Sequence, residues 1–232
     1  MLNRKLLVIL LITSLSIGAQ GASARPKAKN GDLANYTVVH AIPAGYGADV
    51  VDIYANGALV VDNATPGAMK SFSVPRGNMK IQVFANGVIP GPSTSPLLSS
   101  QNLYLANGNN LTFVAHLAAD EKPKLSVFKN MVTEAGAKRS WISVRHVAAA
   151  PALQIRVNGY PKFVPLLNGM ERKKSFAFGT YSVDSLYSET STVVAGPTSI
   201  KLEKSKNVVL YVWGAKSKGN LAFLKEEIPA RN

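Results

Sequence analysis

An internal repeat restricts the possible folds of this chain more than any other feature. Segments 38–41 (VVHA) and 52–57 (DIYANG) return about a hundred residues later as 144–147 (VRHV) and 154–159 (QIRVNG). Repeating units of solenoid proteins span roughly 20 to 50 residues, whereas a small independent domain needs about 100. The spacing therefore predicts two small domains of one kind, arranged in tandem.

Each copy consists of short segments that have the composition of β-strands. Segment 51–55 alternates between two faces and ends at Asn56-Gly57, a pair that favours a tight hairpin turn. The chain has no extended helical periodicity, and its 13 prolines and 18 glycines would interrupt long helices. We therefore predict an all-β fold with two tandem immunoglobulin-like antiparallel β-sandwich domains.

The N-terminus has the three-part pattern of a secretory signal peptide. Arg4 and Lys5 precede an apolar run, and small residues end at Ala24, after which we expect cleavage. A membrane anchor is the alternative, but polar residues interrupt the run before it reaches the roughly 20 apolar residues that a span requires. The prediction is export, with a signal peptide over 1–24 and no transmembrane anchor after its removal.

The rest of the chain divides at its polar and glycine-containing stretches. A flexible lead-in is expected over 25–34, a first β-sandwich domain over 35–132 and a second over 140–228. The small, polar segment 133–139 between the domains has the composition of a linker.

Charge and cysteine content narrow the location and the partners. The chain has no cysteine, which excludes disulfides, thiolate metal sites and a lipid-modified cysteine, and indicates a bacterial periplasmic, envelope or extracellular protein. The net charge is +13, or about +11 without the signal peptide. This charge either attracts an anionic envelope polymer or polysaccharide, or serves only solubility. Nucleic acid is not expected, because an exported protein rarely meets it.

Residue types that carry catalysis or bind metals are sparse. His40 and His146 occupy equivalent positions, and strand alternation turns both toward the core side, so a structural role is expected for them. His116 has Trp213 as its counterpart and lacks acidic neighbours at ligand spacing. No nucleophile elbow or carboxylate pair is evident. We predict no catalytic residues, no metal site and no cofactor.

The basic residues suggest a weak binding candidate. The densest run is Arg172, Lys173 and Lys174, followed by Lys201, Lys204 and Lys206. These six residues either form a docking patch for a polyanion or protect an exposed sheet edge, where lysine discourages pairing between molecules. The long segments 88–101 and 189–199 are predicted to be irregular loops, and such loops are a plausible place for a binding site.

The repeated motifs resemble a bacterial family, the domain of unknown function 4397. The resemblance rests on VVHA at 38–41, DIYANG at 52–57 and VPRG at 74–77, and the first copy matches well over 36–130. The second copy is looser, because Gln154 and Arg156 replace an aspartate and a tyrosine of the pattern. The resemblance implies exported proteins with sandwich domains, often in tandem, and supplies no catalytic residues.

Three functions are compatible with these observations. The first is a secreted, non-enzymatic β-sandwich protein that binds or decorates an anionic envelope or extracellular polymer. The second is a hydrolase that acts on glycan. The third is an adhesion or assembly component that recognises another protein.

Overall fold

The computed structural model describes residues 33–231. The predicted signal peptide, 1–24, and residues 25–32 of the predicted lead-in lie outside the described residues. We call 33–132 the first half and 133–231 the second half.

The ten strands of the first half are β1 (Leu33–Ala41), β2 (Val51–Ala55), β3 (Ala58–Ala64), β4 (Met69–Pro75), β5 (Gly77–Met79), β6 (Ile81–Ala85), β7 (Leu98–Ser99), β8 (Leu103–Leu105), β9 (Asn110–Leu117) and β10 (Pro123–Lys129).

The second half contains eight strands. They are β11 (Arg139–His146), β12 (Leu153–Val157), β13 (Tyr160–Leu166), β14 (Glu171–Ala177), β15 (Gly179–Tyr187), β16 (Val193–Leu202), β17 (Lys206–Trp213) and β18 (Ala222–Pro229). The only helix within 33–231 is a single 3-10 turn, Lys216–Lys218. No helix in this range is long and apolar enough to cross a membrane. The predicted all-β sandwich fold is confirmed.

Both halves use the same strand order. An inner sheet runs β10-β9-β1-β4 in the first half and β14-β11-β17-β18 in the second, while the outer sheets run β3-β2-β6-β7 and β13-β12-β15-β16. A two-stranded sheet, β5-β8, completes the first half. Most neighbours are antiparallel, but each inner sheet also contains one parallel pair, β1 with β9 and β11 with β17.

The predicted Asn-Gly hairpin turns are present in both halves. Asn56 and Gly57 have φ of 50° and 82°, and Asn158 and Gly159 have φ of 50° and 78°. Two successive residues with positive φ define the turn that matches the twist of a two-residue hairpin. These turns join β2 to β3 and β12 to β13.

Each half has a hydrophobic core between its inner and outer sheets. In the first half, Tyr36, Val38 and Phe113 of the inner sheet pack in one cluster with Ile53 and Val83 of the outer sheet. The corresponding cluster of the second half contains Ile142, Val144, Leu210, Ile155 and Val183. Alternate residues of each inner strand therefore face a core.

The other face of each inner sheet is also buried, because the two inner sheets pack against each other. Val39, Val114 and Phe128 of the first half form a third apolar cluster with Val209 and Tyr211 of the second half. The molecule is thus a stack of four sheets. The sequence predicts the two cores but gives no indication of this third cluster.

Arg145 lies at the centre of the contact between the halves and is fully buried. Its Nε donates to Glu171 at 2.7 Å, one terminal nitrogen donates to the Tyr211 hydroxyl at 2.6 Å, and the other donates to Asn130 Oδ1 at 2.6 Å. The guanidinium also lies 4.6 Å from the centre of the Phe128 ring. Because Phe128 and Asn130 belong to the first half, one cation joins both halves.

These hydrogen bonds continue into a closed ring. The Asn130 amide donates to Thr112 Oγ1 at 2.9 Å, and the Thr112 hydroxyl donates to the Glu226 carboxylate at 3.2 Å. The Tyr211 hydroxyl also donates to Glu226. Burial raises the pKa of Tyr211 and keeps its hydroxyl protonated. Thr112, Glu226, Tyr211, Arg145 and Asn130 thus satisfy one another across the interface.

The segment at the start of the second half, before β11, is bonded to the strands and the C-terminal end of that half. The Glu134 amide donates to Arg231 O at 3.2 Å, and the Asn207 side chain donates to Met131 O and Thr133 O at 2.9 and 3.0 Å. This segment, predicted as the linker over 133–139, therefore follows the second half closely.

Three histidines are buried and hydrogen-bonded, and two of them hold loops in place. His40 Nε2 bonds Ala48 O at 2.8 Å, and His146 Nε2 bonds Pro151 O at 3.0 Å, so equivalent rings brace equivalent loops. His116 bonds Leu117 O through Nδ1 at 2.8 Å and Ser126 through Nε2 at 2.8 Å. Burial lowers the pKa of all three rings, that of His116 to about 4. The rings therefore stay neutral near pH 7.

Replacing Arg145 is expected to destabilise the protein strongly. Arg145→Met should lower the free energy of unfolding by about 3 to 5 kcal/mol, because it leaves buried partners of the cation without their hydrogen bonds. Urea unfolding measures the change. The matched control is Arg156→Met, which removes the partly exposed pair with Asp184 and should cost less than about 1 kcal/mol. Equal effects of the two substitutions would contradict the role of Arg145.

Acidification should destabilise the protein through His116. Because its pKa in the folded state, about 4, lies below the ordinary value of 6.5, the unfolded chain binds more protons as pH falls between these values. The contribution of the neutral His116 ring to the free energy of unfolding is fully present above pH 6.5. It should fall by roughly 3 kcal/mol by pH 4. His116→Gln cannot titrate, so its urea stability should fall less over this window. An identical pH dependence in both proteins would refute the assignment.

Candidate functional site

The structure divides the predicted basic patch into two regions. Arg172, Lys173 and Lys174 lie on β14, the terminal strand of its sheet, next to β13 of the outer sheet. Lys201 lies on β16, at the opposite edge of the outer sheet, where β16 contacts β17 and β18. The six predicted residues therefore do not form one surface. The position of β14 is the one that the edge-protection alternative requires.

Carboxylates neutralise part of both regions. Lys173 pairs with Glu171 at 2.8 Å, and Glu203 pairs with Lys206 at 2.7 Å and with Lys201 at 3.0 Å. Hydrogen bonds from Lys206 and Lys201 lower the pKa of Glu203 to about 2, so this carboxylate stays charged. Lys206 also pairs with Glu227 at 3.3 Å. Among the predicted residues, Lys201, Lys206 and Lys173 thus have local partners.

Lys204 lies in a cavity that we call the junction groove. This cavity of about 520 Å³ is lined by Thr133, Glu134, Gly136, Ala137, Lys138, Phe178, Lys204 and Arg231. Lys138, Lys204 and Arg231 are exposed, and within 33–231 none of them forms a salt bridge. The one acidic residue, Glu134, accepts hydrogen bonds from the amide and hydroxyl of Ser205 at 3.2 and 3.4 Å. The groove can therefore hold an anionic group.

Three separate parts of the chain build the junction groove. Lys138 lies just before β11, Lys204 in the turn from β16 to β17, and Arg231 just beyond β18. The backbone bond from Phe178 N to Lys138 O, 2.9 Å long, holds one wall in place. Sequence analysis missed Lys138 and Arg231, because neither belongs to a dense basic run and 93 positions separate them. No local pattern could have paired them.

The positive charge of the described residues lies almost entirely in the second half. Residues 33–132 carry 6 Lys and Arg against 5 Asp and Glu, a net of +1, whereas 133–231 carry 15 against 7, a net of +8. The junction groove therefore lies within the positive field of the second half, which would attract a polyanion over roughly a Debye length.

A second cavity, which we call the wedge, adjoins the junction groove and shares Arg231 with it. The wedge measures about 520 Å³ and opens between β1 and β4 of the first half and β18 of the second. Its polar side chains are Asn35, Thr37, Ser71, Ser73, Asn110, Glu226, Glu227 and Arg231. The wedge thus differs from the groove in that most of its polar side chains carry hydroxyl, amide or carboxylate groups, and apolar side chains such as Leu33, Phe72 and Ile228 complete its lining.

The long segments predicted as binding loops do not frame either cavity. Segment 88–101 is largely irregular, and its Leu97 and Leu98 line a separate cavity of about 260 Å³ with Tyr46. The prediction of an irregular loop over 189–199 is wrong for most of its length, because β16 begins at Val193. The glycine and proline at 196–197 are residues that usually interrupt strands, and for this reason the sequence did not indicate β16 here.

A metal site in a protein without cysteine needs several histidine, aspartate or glutamate side chains close together. Between Leu33 and Arg231 there is no group of three or more histidine, aspartate and glutamate side chains placed to bind a metal. His40 and His146 use their Nε2 atoms on backbone carbonyls, as described above.

Several solved structures are similar to this chain at low identity. One is a streptococcal virulence factor described as binding alpha-glucan, with 8% identity, 82% of this chain and 96% of that chain covered, and a TM-score of 0.26. Another is the CBM26 module CBMbc from Eubacterium rectale Amy13K, in complex with maltoheptaose. It is 9% identical, the match covers 85% of this chain and 98% of that chain, and the TM-score is 0.24. The Bacillus anthracis TIE protein is 10% identical, the match covers 79% of this chain and 32% of that chain, and the TM-score is 0.23.

Those TM-scores are too low to assign a ligand or a subtype of fold, and no curated protein matches the chain. A family model matches residues 34–156, from β1 of the first half to β12 of the second. This is more than half of the 232 residues. The chain therefore belongs to the family described as domain of unknown function (DUF4397).

Proposed function

We propose that this chain is an exported, non-enzymatic protein that binds an anionic polymer of the bacterial envelope or its surroundings, and that the junction groove is the binding site. The proposed location is periplasmic, envelope-associated or extracellular. An acidic polysaccharide or a wall polymer has the repeated negative charges that such a groove would engage.

The observation that carries this proposal is the placement of charge. The second half has a net of +8, and the groove brings together three exposed cations, Lys138, Lys204 and Arg231, around a single acidic residue. Cations scattered only for solubility would not need to converge on one cavity. The Glu134 carboxylate accepts hydrogen bonds from Ser205, whereas a catalytic acid or base would point its carboxylate toward the ligand.

We also propose that the second half is a second copy of the family domain, with the boundaries expected from the sequence, 35–132 and 140–228. The equal strand order of the two halves and the equivalent bonds of His40 and His146 support this proposal. In this arrangement the first copy supplies mainly a packing partner, and the second copy supplies the cations.

Removing two groove cations should weaken binding of an acidic polysaccharide. We expect Lys138→Gln/Lys204→Gln to reduce affinity for immobilised alginate about tenfold, since each exposed charge contact is worth about 0.7 kcal/mol. Biolayer interferometry at 50 to 500 mM NaCl measures the change, and affinity of the unsubstituted protein should fall steeply with salt. Wall teichoic acid serves as a second anionic probe, and dextran as the uncharged comparison.

The matched control removes two exposed cations elsewhere in the second half, Lys216→Gln/Lys218→Gln. It should leave alginate affinity within about twofold. Equal losses in both double variants would show a diffuse charge effect and contradict the groove as the site. Release of reducing ends from any tested glycan would contradict the non-enzymatic assignment.

A further inference from the structure

One face of the sheet β10-β9-β1-β4 points toward the second half, and its side chains change from apolar to polar along the strands. Where the two inner sheets meet, it presents Val39, Met69 and Val114, which belong to the interface cluster. Two residues back along β1 lies Thr37, opposite Ser71 of β4, and two further lies Asn35, opposite Ser73. Because alternate residues share a face, one continuous surface is apolar at one end and polar at the other.

Packing alone does not account for the polar end. Two sheets that pack face to face lie about 10 Å apart and fill the space between them with apolar side chains, as Val39 and Val114 do here. At the polar end the sheets instead enclose the wedge of about 520 Å³. Thr37 is only 3% exposed and Asn110 only 9%, so the floor of the wedge lies deep in the molecule. Ser71 and Ser73 at its rim are exposed.

Most polar groups of the wedge hold each other in place and retain capacity for a ligand. The Thr37 and Ser71 hydroxyls are 2.9 Å apart, and the Ser73 hydroxyl donates to Asn35 Oδ1. Each hydroxyl oxygen has two lone pairs, and the Asn35 amide keeps its two donors. On the opposite wall, the Glu226 carboxylate is 5% exposed and already accepts hydrogen bonds from Thr112 and Tyr211, so its remaining lone pairs are what it offers to a ligand.

We propose that the wedge binds uncharged saccharide units through their hydroxyl groups. Sugar hydroxyls both donate and accept hydrogen bonds, which suits a wall of serine, threonine and asparagine facing carboxylates that only accept. Glu227 pairs with Lys206 and Lys225, but Glu226 forms no salt bridge within 33–231, and its carboxylate disfavours an anionic group in this cavity. A volume of about 520 Å³ is within the usual range for small-ligand sites, which often lie at domain interfaces.

This inference rests on the proposed binding function and narrows the class of polymer. Since Arg231 lines both cavities, a chain bound in the junction groove can continue into the wedge. The groove would take its acidic groups and the wedge its uncharged sugar units. The expected ligand is therefore a polysaccharide with spaced acidic groups and not a polyphosphate.

Neutral oligosaccharides test the wedge separately from the groove. Isothermal titration calorimetry of the intact protein against maltoheptaose, cellohexaose, chitohexaose and mannohexaose should reveal saturable binding of at least one, with little dependence on salt. Thr37→Val/Ser71→Ala should weaken that binding at least fivefold. Both partners of one hydrogen bond are removed together, so no buried group is left unsatisfied and the fold should persist.

Two controls separate the possible failures. Ser182→Ala/Ser199→Ala removes two exposed hydroxyls that lie opposite each other on β15 and β16, and it should leave affinity unchanged. Lys138→Gln/Lys204→Gln should also leave neutral oligosaccharide binding unchanged, while it weakens alginate binding. If none of the four oligosaccharides binds, or if binding survives in Thr37→Val/Ser71→Ala, the inference is overturned, whatever the alginate result.

Discussion

Arg145 requires the two halves of this protein to be placed together, because a fully buried cation is stable only among groups that satisfy it. Its hydrogen-bond partners come from both halves, with Asn130 from the first and Glu171 and Tyr211 from the second. Separating the halves would expose Val39 and Val114 and break the ring of hydrogen bonds through Glu226. The interface is therefore a condition for the stability of both inner sheets.

The same interface also creates the two cavities. The inner sheets contact each other where their facing residues are apolar, and they diverge where Asn35 and Thr37 replace apolar side chains. The divergence opens the wedge, and the adjoining segment, which is bonded to β17 and to Arg231, forms the junction groove. A polar ligand at this place would contact both halves. Its affinity would depend on their fixed arrangement, since a preformed site avoids the cost of ordering.

The strand segments and the hairpin turns follow from local sequence, and for this reason they could be predicted, whereas the order of the strands in each sheet could not. The Asn-Gly pairs have the positive φ values that hairpins need, and alternation places His40 and His146 on core faces. The interface could not be predicted, because Val39 and Arg145 alternate with core residues and their face has no sequence pattern of its own. The junction groove is similarly hidden, since Lys138 and Arg231 meet only through tertiary contacts.

The central claim is that the interface around Arg145 makes the two halves one rigid body. Backbone ¹⁵N relaxation of the intact protein tests this most directly, because amides of both halves then report overall tumbling. The account predicts that a single rotational diffusion tensor fits the rigid strands of both halves, including β2 and β15. Two separate tensors with different correlation times would show that the halves move independently and would contradict the account.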